Sequence, residues 1–134
     1  MLPESELEKL CHGRLVYVDV QNSQTNNPAG PHWAVIIDSD EQISMSEQFN
    51  VVVITHNTLI DPDFLVRVPP GLGIDSTSVI ACGYGQKIHE AGIKKIGPRL
   101  FGPKMIEVMT QVNLAKSIKE RQRSKKSKRS QDPT

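Results

Sequence analysis

Four histidines, His12, His32, His56 and His89, are the residues of this chain best suited to moving protons near neutral pH. An unperturbed imidazole titrates at about 6.5, so it can act as base or acid there. Two of the four stand out by position. His32 precedes the apolar run Ala34-Val35-Ile36-Ile37, and His56 follows the run Val51-Val52-Val53-Ile54-Thr55. At a strand border a side chain can reach into a cleft. Thr55 adds a hydroxyl that either holds an anionic oxygen or caps a turn with Asn57. Trp33, the sole tryptophan, is either a stacking platform worth about 1–3 kcal/mol per base or an anchor beneath a sheet. Arg14 and Arg67 are candidate phosphate contacts, with solvated strand positions as the alternative. His12 and His89 have weaker claims than His32 and His56.

Other chemistries find little support. Cys11 and Cys82 lack the paired spacing of a zinc site and are too few for a disulfide scaffold. They read as two free thiols, and nothing in the sequence places a base beside Cys82. Asp38-Ser39-Asp40-Glu41 and Asp61-Pro62-Asp63 lack the glycine and ligand spacing of a calcium loop, so they read as solvated turns. Gly71-Leu72-Gly73 is not followed by the pattern of a phosphate-binding loop. The expectation is no metal and no cofactor.

The elements that must hold these residues are mostly strands. Leu15–Val20, Ala34–Ile37, Val51–Thr55, Phe64–Val68 and Ser78–Cys82 are short β-rich runs, and Ile88 is assigned to a sixth. The continuous apolar runs suit strands buried on both faces. Gln21 to Pro31 reads as a long polar loop, Pro69-Pro70-Gly71 as a turn, and Gly83-Tyr84-Gly85 as a bulge or close backbone approach. Residues 4–11 suit a short helix with Leu7, Leu10 and Cys11 inward. Gly102-Pro103 opens a helix, and Met105, Val108, Met109, Val112 and Ala115 form its apolar stripe. The expected fold is mainly β with a C-terminal α-helix: a small, strongly bent antiparallel sheet or partial barrel. The organisation expected is a helical segment at 1–12, a barrel domain at 13–120 and a basic disordered tail at 121–134.

The 134 residues amount to one domain, with a net charge of +1. That balance hides an asymmetry. Residues 116–134 hold eight basic and two acidic residues, net +6, while the other 115 hold 8 and 13, net −5. Lys125 and Lys126 lie in the densest part of the tail, which suits salt-dependent contact with nucleic acid. No apolar run approaches the roughly 20 residues of a membrane helix. The acidic start, Met1 to Glu6, lacks the regions of a signal peptide.

Four segments, in order, resemble the PemK/MazF family of toxin proteins. Gly13-Arg14-Leu15-Val16-Tyr17-Val18-Asp19 is similar to the opening strand, although the family usually has an acidic residue at Arg14. Gly30-Pro31-His32-Trp33-Ala34-Val35-Ile36 resembles its G-x-R-P-x-V-V segment. Val51–Thr55 resembles the strand ending in its threonine, and Leu72–Ile80 leading into Lys87-Ile88-His89 resembles its later strand. Gly97 and the helix after Gly102 also fit, and the similarity spans about residues 13–118. The departures fall on the chemistry. His32 before Trp33 stands where the family has arginine before proline, and Ala81 and Gly83 stand where some members carry arginine and aspartate.

The resemblance implies an SH3-like, PemK-like barrel, cytoplasmic and homodimeric. It also implies metal-independent cleavage of single-stranded RNA and inhibition by an antitoxin protein covering the groove. Such cleavage needs a base for the ribose 2′-hydroxyl, an acid for the leaving 5′-oxygen and donors for the phosphorane oxygens. His32, Thr55 and His56 are the catalytic candidates. Trp33, Arg14, Arg67, Lys125 and Lys126 are the nucleic-acid-binding candidates. The other reading is a non-catalytic module of the same fold that binds nucleic acid or protein, since small barrels host many functions.

Overall fold

A computed structural model describes residues 2–21, 28–57, 62–75 and 77–130, with side chains described to residue 124. Six strands form one antiparallel sheet in the order β4-β5-β3-β2-β1-β6. They are β1 (Arg14–Gln21), β2 (Pro28–Ile36), β3 (Gln48–Thr55), β4 (Leu65–Arg67), β5 (Val79–His89) and β6 (Ile93–Arg99). Three helices accompany them: α1 (Glu4–Leu7), α2 (Asp40–Ser44) and α3 (Pro103–Ser130). The sheet is bent and not closed, as expected of a partial barrel with one closing helix.

The apolar runs are continuous because both faces of the sheet are dry along those stretches. Successive side chains of a strand point to opposite faces. Leu15, Val35, Val52, Ile54, Ile80 and Cys82 therefore face one core, which Met105, Val108 and Val112 of α3 cover. Their neighbours Val16, Val18, Val20, Ala34, Ile36, Val51 and Val53 fill a second core with Phe49, Ile43 and Ile93. Leu2 and Leu10 pack against that second core. The N-terminal helix is thus shorter than the expected 4–11, and Leu10 lies beyond its end.

The Gly83-Tyr84-Gly85 irregularity bends the longest strand. Val52 pairs with Gly85, yet Ile54 pairs with Ile80, so residues 81–84 of β5 stand against Val53 alone. Such a bulge increases local twist and turns the strand. The two halves read separately in the sequence, Ser78–Cys82 and the segment at Ile88, are one strand with this kink. Lys119 of α3 donates to the carbonyl of buried Gly83 and pins the helix there.

Four expectations are corrected. The sixth strand is not at Ile88 but at Ile93–Arg99, an edge strand on β1 that can carry Gly97 and Pro98 because its outer side has no partner. Pro28–Pro31, assigned to the long loop, open β2 and pair with β1; β3 joins β2 only at Ala34, so a proline nitrogen can face the open side there. Residues 22–27, the rest of that loop, lie outside the described residues. Asp38–Glu41 is not a plain turn, because Ser39 and Gln42 form a capping box that starts α2. The helix does not stop near 121: residues 104–130 contain neither Gly nor Pro, and α3 runs to Ser130.

Burial decides two outcomes. Met105 is 4% exposed against the main core, so Met105→Ala should lower unfolding free energy by about 2–5 kcal/mol in urea titrations. Burial, helped by the charge of Glu107, pushes the Cys82 thiol up to about 12. At neutral pH it should resist a thiol-disulfide reagent until the protein is unfolded, while half-buried Cys11 reacts first.

Candidate functional site

The polar candidates lie where β2 and β3 leave the core at the same end of the sheet. β2 enters its buried stretch at Ala34, and β3 leaves its own after Ile54. Ala34 pairs with Val53 in the antiparallel ladder. Carrying that register two residues further aligns His32 with Thr55. The strands part there, and a groove of about 540 Å³ opens between them. His32, Trp33, Thr55 and His56 all line it. Tyr17 of β1 and Gly73, Ile74, Asp75 and Ser78 of the following turn complete its walls.

The half-buried His32 ring places Nδ1 3.2 Å from the Gly30 carbonyl oxygen. A carbonyl only accepts, so this contact sets the hydrogen on Nδ1 and leaves Nε2 the unprotonated nitrogen of the neutral ring. Thr55 Oγ1 accepts from the Asn57 backbone N–H at 3.1 Å. The turn-capping role considered from sequence is therefore present, with the threonine still on the groove. His56 is exposed. Its Nδ1 lies 3.3 Å from Thr77 Oγ1 and 3.5 Å from Ser78 Oγ. Thr77 in turn donates from its backbone N–H and its hydroxyl to Asp75 Oδ1, each at 2.9 Å. These two bonds hold the Asp75 carboxyl below the usual carboxylate range, backbone donor first, with a smaller contribution from His56.

Trp33 is both wall and anchor. Period 2 sets it on the same face as Val35, and it packs against the main core while lining the groove. Its ring lies 5.3 Å from that of Tyr17, at 48°, and Lys95 Nζ sits 5.3 Å from the Tyr17 centroid. Beneath it is Gly97, where an added Cβ would come within 2.8 Å of the indole. The glycine is required by close approach, not by backbone angle.

The remaining candidates are elsewhere. Arg14 Nε donates to the Lys9 carbonyl at 2.8 Å, and its Nη1 to Gly97 O at 3.3 Å, so Arg14 ties the N-terminal segment to β6 and is not on the groove. Arg67 is exposed on β4, opposite Val79, and is likewise absent from the lining. Lys125 and Lys126 lie on the distal part of α3; their side chains are outside the described residues. His12 is held by Asp38 O and Asp40. His89 caps the turn at Ala91 and pairs with Glu47. Among the described residues, no three His, Cys, Asp or Glu side chains are grouped as a metal ion would need, and no helix is long and apolar enough to cross a membrane.

Sequence reasoning missed Tyr17, Asp75 and Thr77. Tyr17 is found only through the β1–β2 register that sets it opposite Trp33. Asp75 and Thr77 carried a local signal, since Asp two residues before a threonine suits a side-chain-closed turn.

No protein-family profile matches the chain, and no curated protein matches its sequence. Solved structures do match. An endoribonuclease in complex with its cognate antitoxin from a mycobacterial species superposes with a TM-score of 0.62 at 9% identity, over 81% of this chain and 93% of that one. A MazE–MazF complex from Deinococcus radiodurans gives 0.61 at 13% identity, over 77% and 92%. The Mycobacterium tuberculosis toxin MazF-mt6 gives 0.60 at 15%, over 76% and 96%. The chain has the MazF-like fold over most of its length.

The Gly97 contact generates a direct check. Gly97→Ala should displace the indole and change its emission maximum, and the sole tryptophan makes the fluorescence signal unambiguous. Unchanged emission in a folded variant would contradict the packing.

Proposed function

We propose that this chain is a toxin-like endoribonuclease that cuts single-stranded RNA without a metal ion, with His32, Thr55 and His56 as its active-site group. The observation that carries the reading is the convergence of these three side chains and Trp33 on one groove, in a fold shared with endoribonuclease toxins. One imidazole takes the proton of the ribose 2′-hydroxyl as O2′ bonds to phosphorus. The P–O5′ bond breaks, and the other imidazole, charged, gives its proton to the departing O5′. The products are a 2′,3′-cyclic phosphate and a 5′-hydroxyl. With Nδ1 held by Gly30, His32 works through Nε2. Thr55 contacts a phosphate oxygen, and the aromatic pair Trp33 and Tyr17 offers a face for a base.

The arginine that the PemK/MazF resemblance leads one to expect is replaced by His32, so the groove's positive charge depends on protonation. The basic end of α3, including Lys125 and Lys126, supplies permanent positive charge for the RNA backbone. By likeness to structures solved with an antitoxin, the partner is an antitoxin protein covering the groove. The working state is a homodimer in the cytoplasm. A non-catalytic binding module is the second reading, favoured by the bond that already engages Thr55.

The test is purified protein on mixed-sequence single-stranded RNA, with chelator, across pH. The expected profile is bell-shaped around neutrality, because one histidine must be neutral and the other charged. His32→Ala and His56→Ala should each reduce the rate by about 10²–10⁴. Retained binding with no cleavage by the wild type would favour the binding module.

A further inference from the structure

We infer that Asp75, acting through Thr77, fixes the tautomer of His56: Nδ1 carries the hydrogen, and Nε2 is the nitrogen left to exchange protons in the groove. The argument is hydrogen-bond accounting. Asp75 Oδ1 already accepts the Thr77 backbone N–H and lies 2.9 Å from the Thr77 hydroxyl. Asp75 is a carboxylate at neutral pH, being held below the ordinary range by those same bonds, so it can only accept. The single hydroxyl hydrogen of Thr77 therefore points to Asp75. Thr77 Oγ1 then has only lone pairs to offer His56 Nδ1 at 3.3 Å, and the hydrogen between them belongs to the imidazole. A neutral His56 with its hydrogen on Nε2 would leave two lone pairs facing each other.

Among the described residues, the ring meets one further hydroxyl at Nδ1, Ser78 Oγ at 3.5 Å. Ser78 also closes the same turn, its N–H donating to Asp75 O at 3.0 Å. The other titratable groups on the groove are His32 from β2 and Tyr17 from β1. The arrangement parallels the orienting role of a carboxylate behind a catalytic histidine, with a threonine hydroxyl inserted between them. Asp75 and Thr77 are accordingly positioning residues. The tautomer follows from geometry alone; its catalytic meaning rests on the endoribonuclease reading.

The test is long-range 1H–15N correlation spectroscopy of the full, 15N-labelled chain at mildly alkaline pH, which reads the tautomer of each neutral histidine without RNA. Wild-type His56 should carry its hydrogen on Nδ1. Asp75→Ala frees the Thr77 hydroxyl to donate, so the hydrogen should move to Nε2. Asp75→Asn keeps an acceptor oxygen and should restore the wild-type pattern. Thr77→Val should lose it, and Ser78→Ala should not. An Nε2–H tautomer in wild type, or one unchanged by both Asp75→Ala and Thr77→Val, overturns the inference. In the RNA assay, Asp75→Ala should slow cleavage about 10- to 10²-fold, less than loss of His56 itself, with partial recovery in Asp75→Asn. A wild type with the expected tautomer but no cleavage would refute the endoribonuclease reading and leave the relay standing.

Discussion

Two-sided burial of β1, β2 and β3 is the constraint on which the molecule depends. These strands feed two cores with alternate side chains, so their dry stretches, Leu15–Val16, Ala34–Ile36 and Val51–Ile54, have no solvated face for a polar residue, while Asp19 and Asn50 stand exposed outside those stretches. A charged or hydrogen-bonding group placed inside one would lose water without a partner. Polar side chains are therefore kept outside these dry stretches. His32 and Trp33 precede the dry stretch of β2, and Thr55 and His56 follow that of β3. Antiparallel pairing then brings the start of one stretch beside the end of the other, and a groove forms where the ladder stops.

The groove has an aromatic wall and a polar wall. Trp33, Tyr17 and Gly97 make the aromatic wall, where an indole lies on a glycine backbone and against a second aromatic ring. The polar wall holds Asp75 and Ser78, with Thr77 bonded to Asp75 and Ile74 packed against the main core. The hydroxyls of Thr77 and Ser78 meet the His56 ring at Nδ1. The charge of the groove is conditional, since its basic groups are histidines, whereas the permanent positive charge is gathered on α3.

The fold is shared with MazF-like structures at 9 to 15% identity. What survives such divergence is the pattern of strand burial and the closing helix, because either can be satisfied by many apolar residues of about the right size. Site chemistry is not protected in that way.

The apolar runs by themselves determined the five segments that become β1 to β5, and the stripe from Met105 to Ala115 determined the face of α3, because burial leaves a local periodicity. They also set Thr55 and His56 at the end of a strand, whereas His32, expected at a strand start, lies in the middle of β2, just before its buried stretch. Only the tertiary structure decided the rest. β6 has no alternation and holds Gly97 and Pro98; it exists because β1 offers an open edge. Arg14 and Arg67 read as phosphate contacts until the fold turned one toward Lys9 and Gly97 and left the other on an edge strand away from the groove. Thr77 lies 21 residues from His56 in the chain. Its contact with that ring depends on how β5 pairs with β3, and strand register is set by the sum of distant contacts, which no stretch of local sequence records.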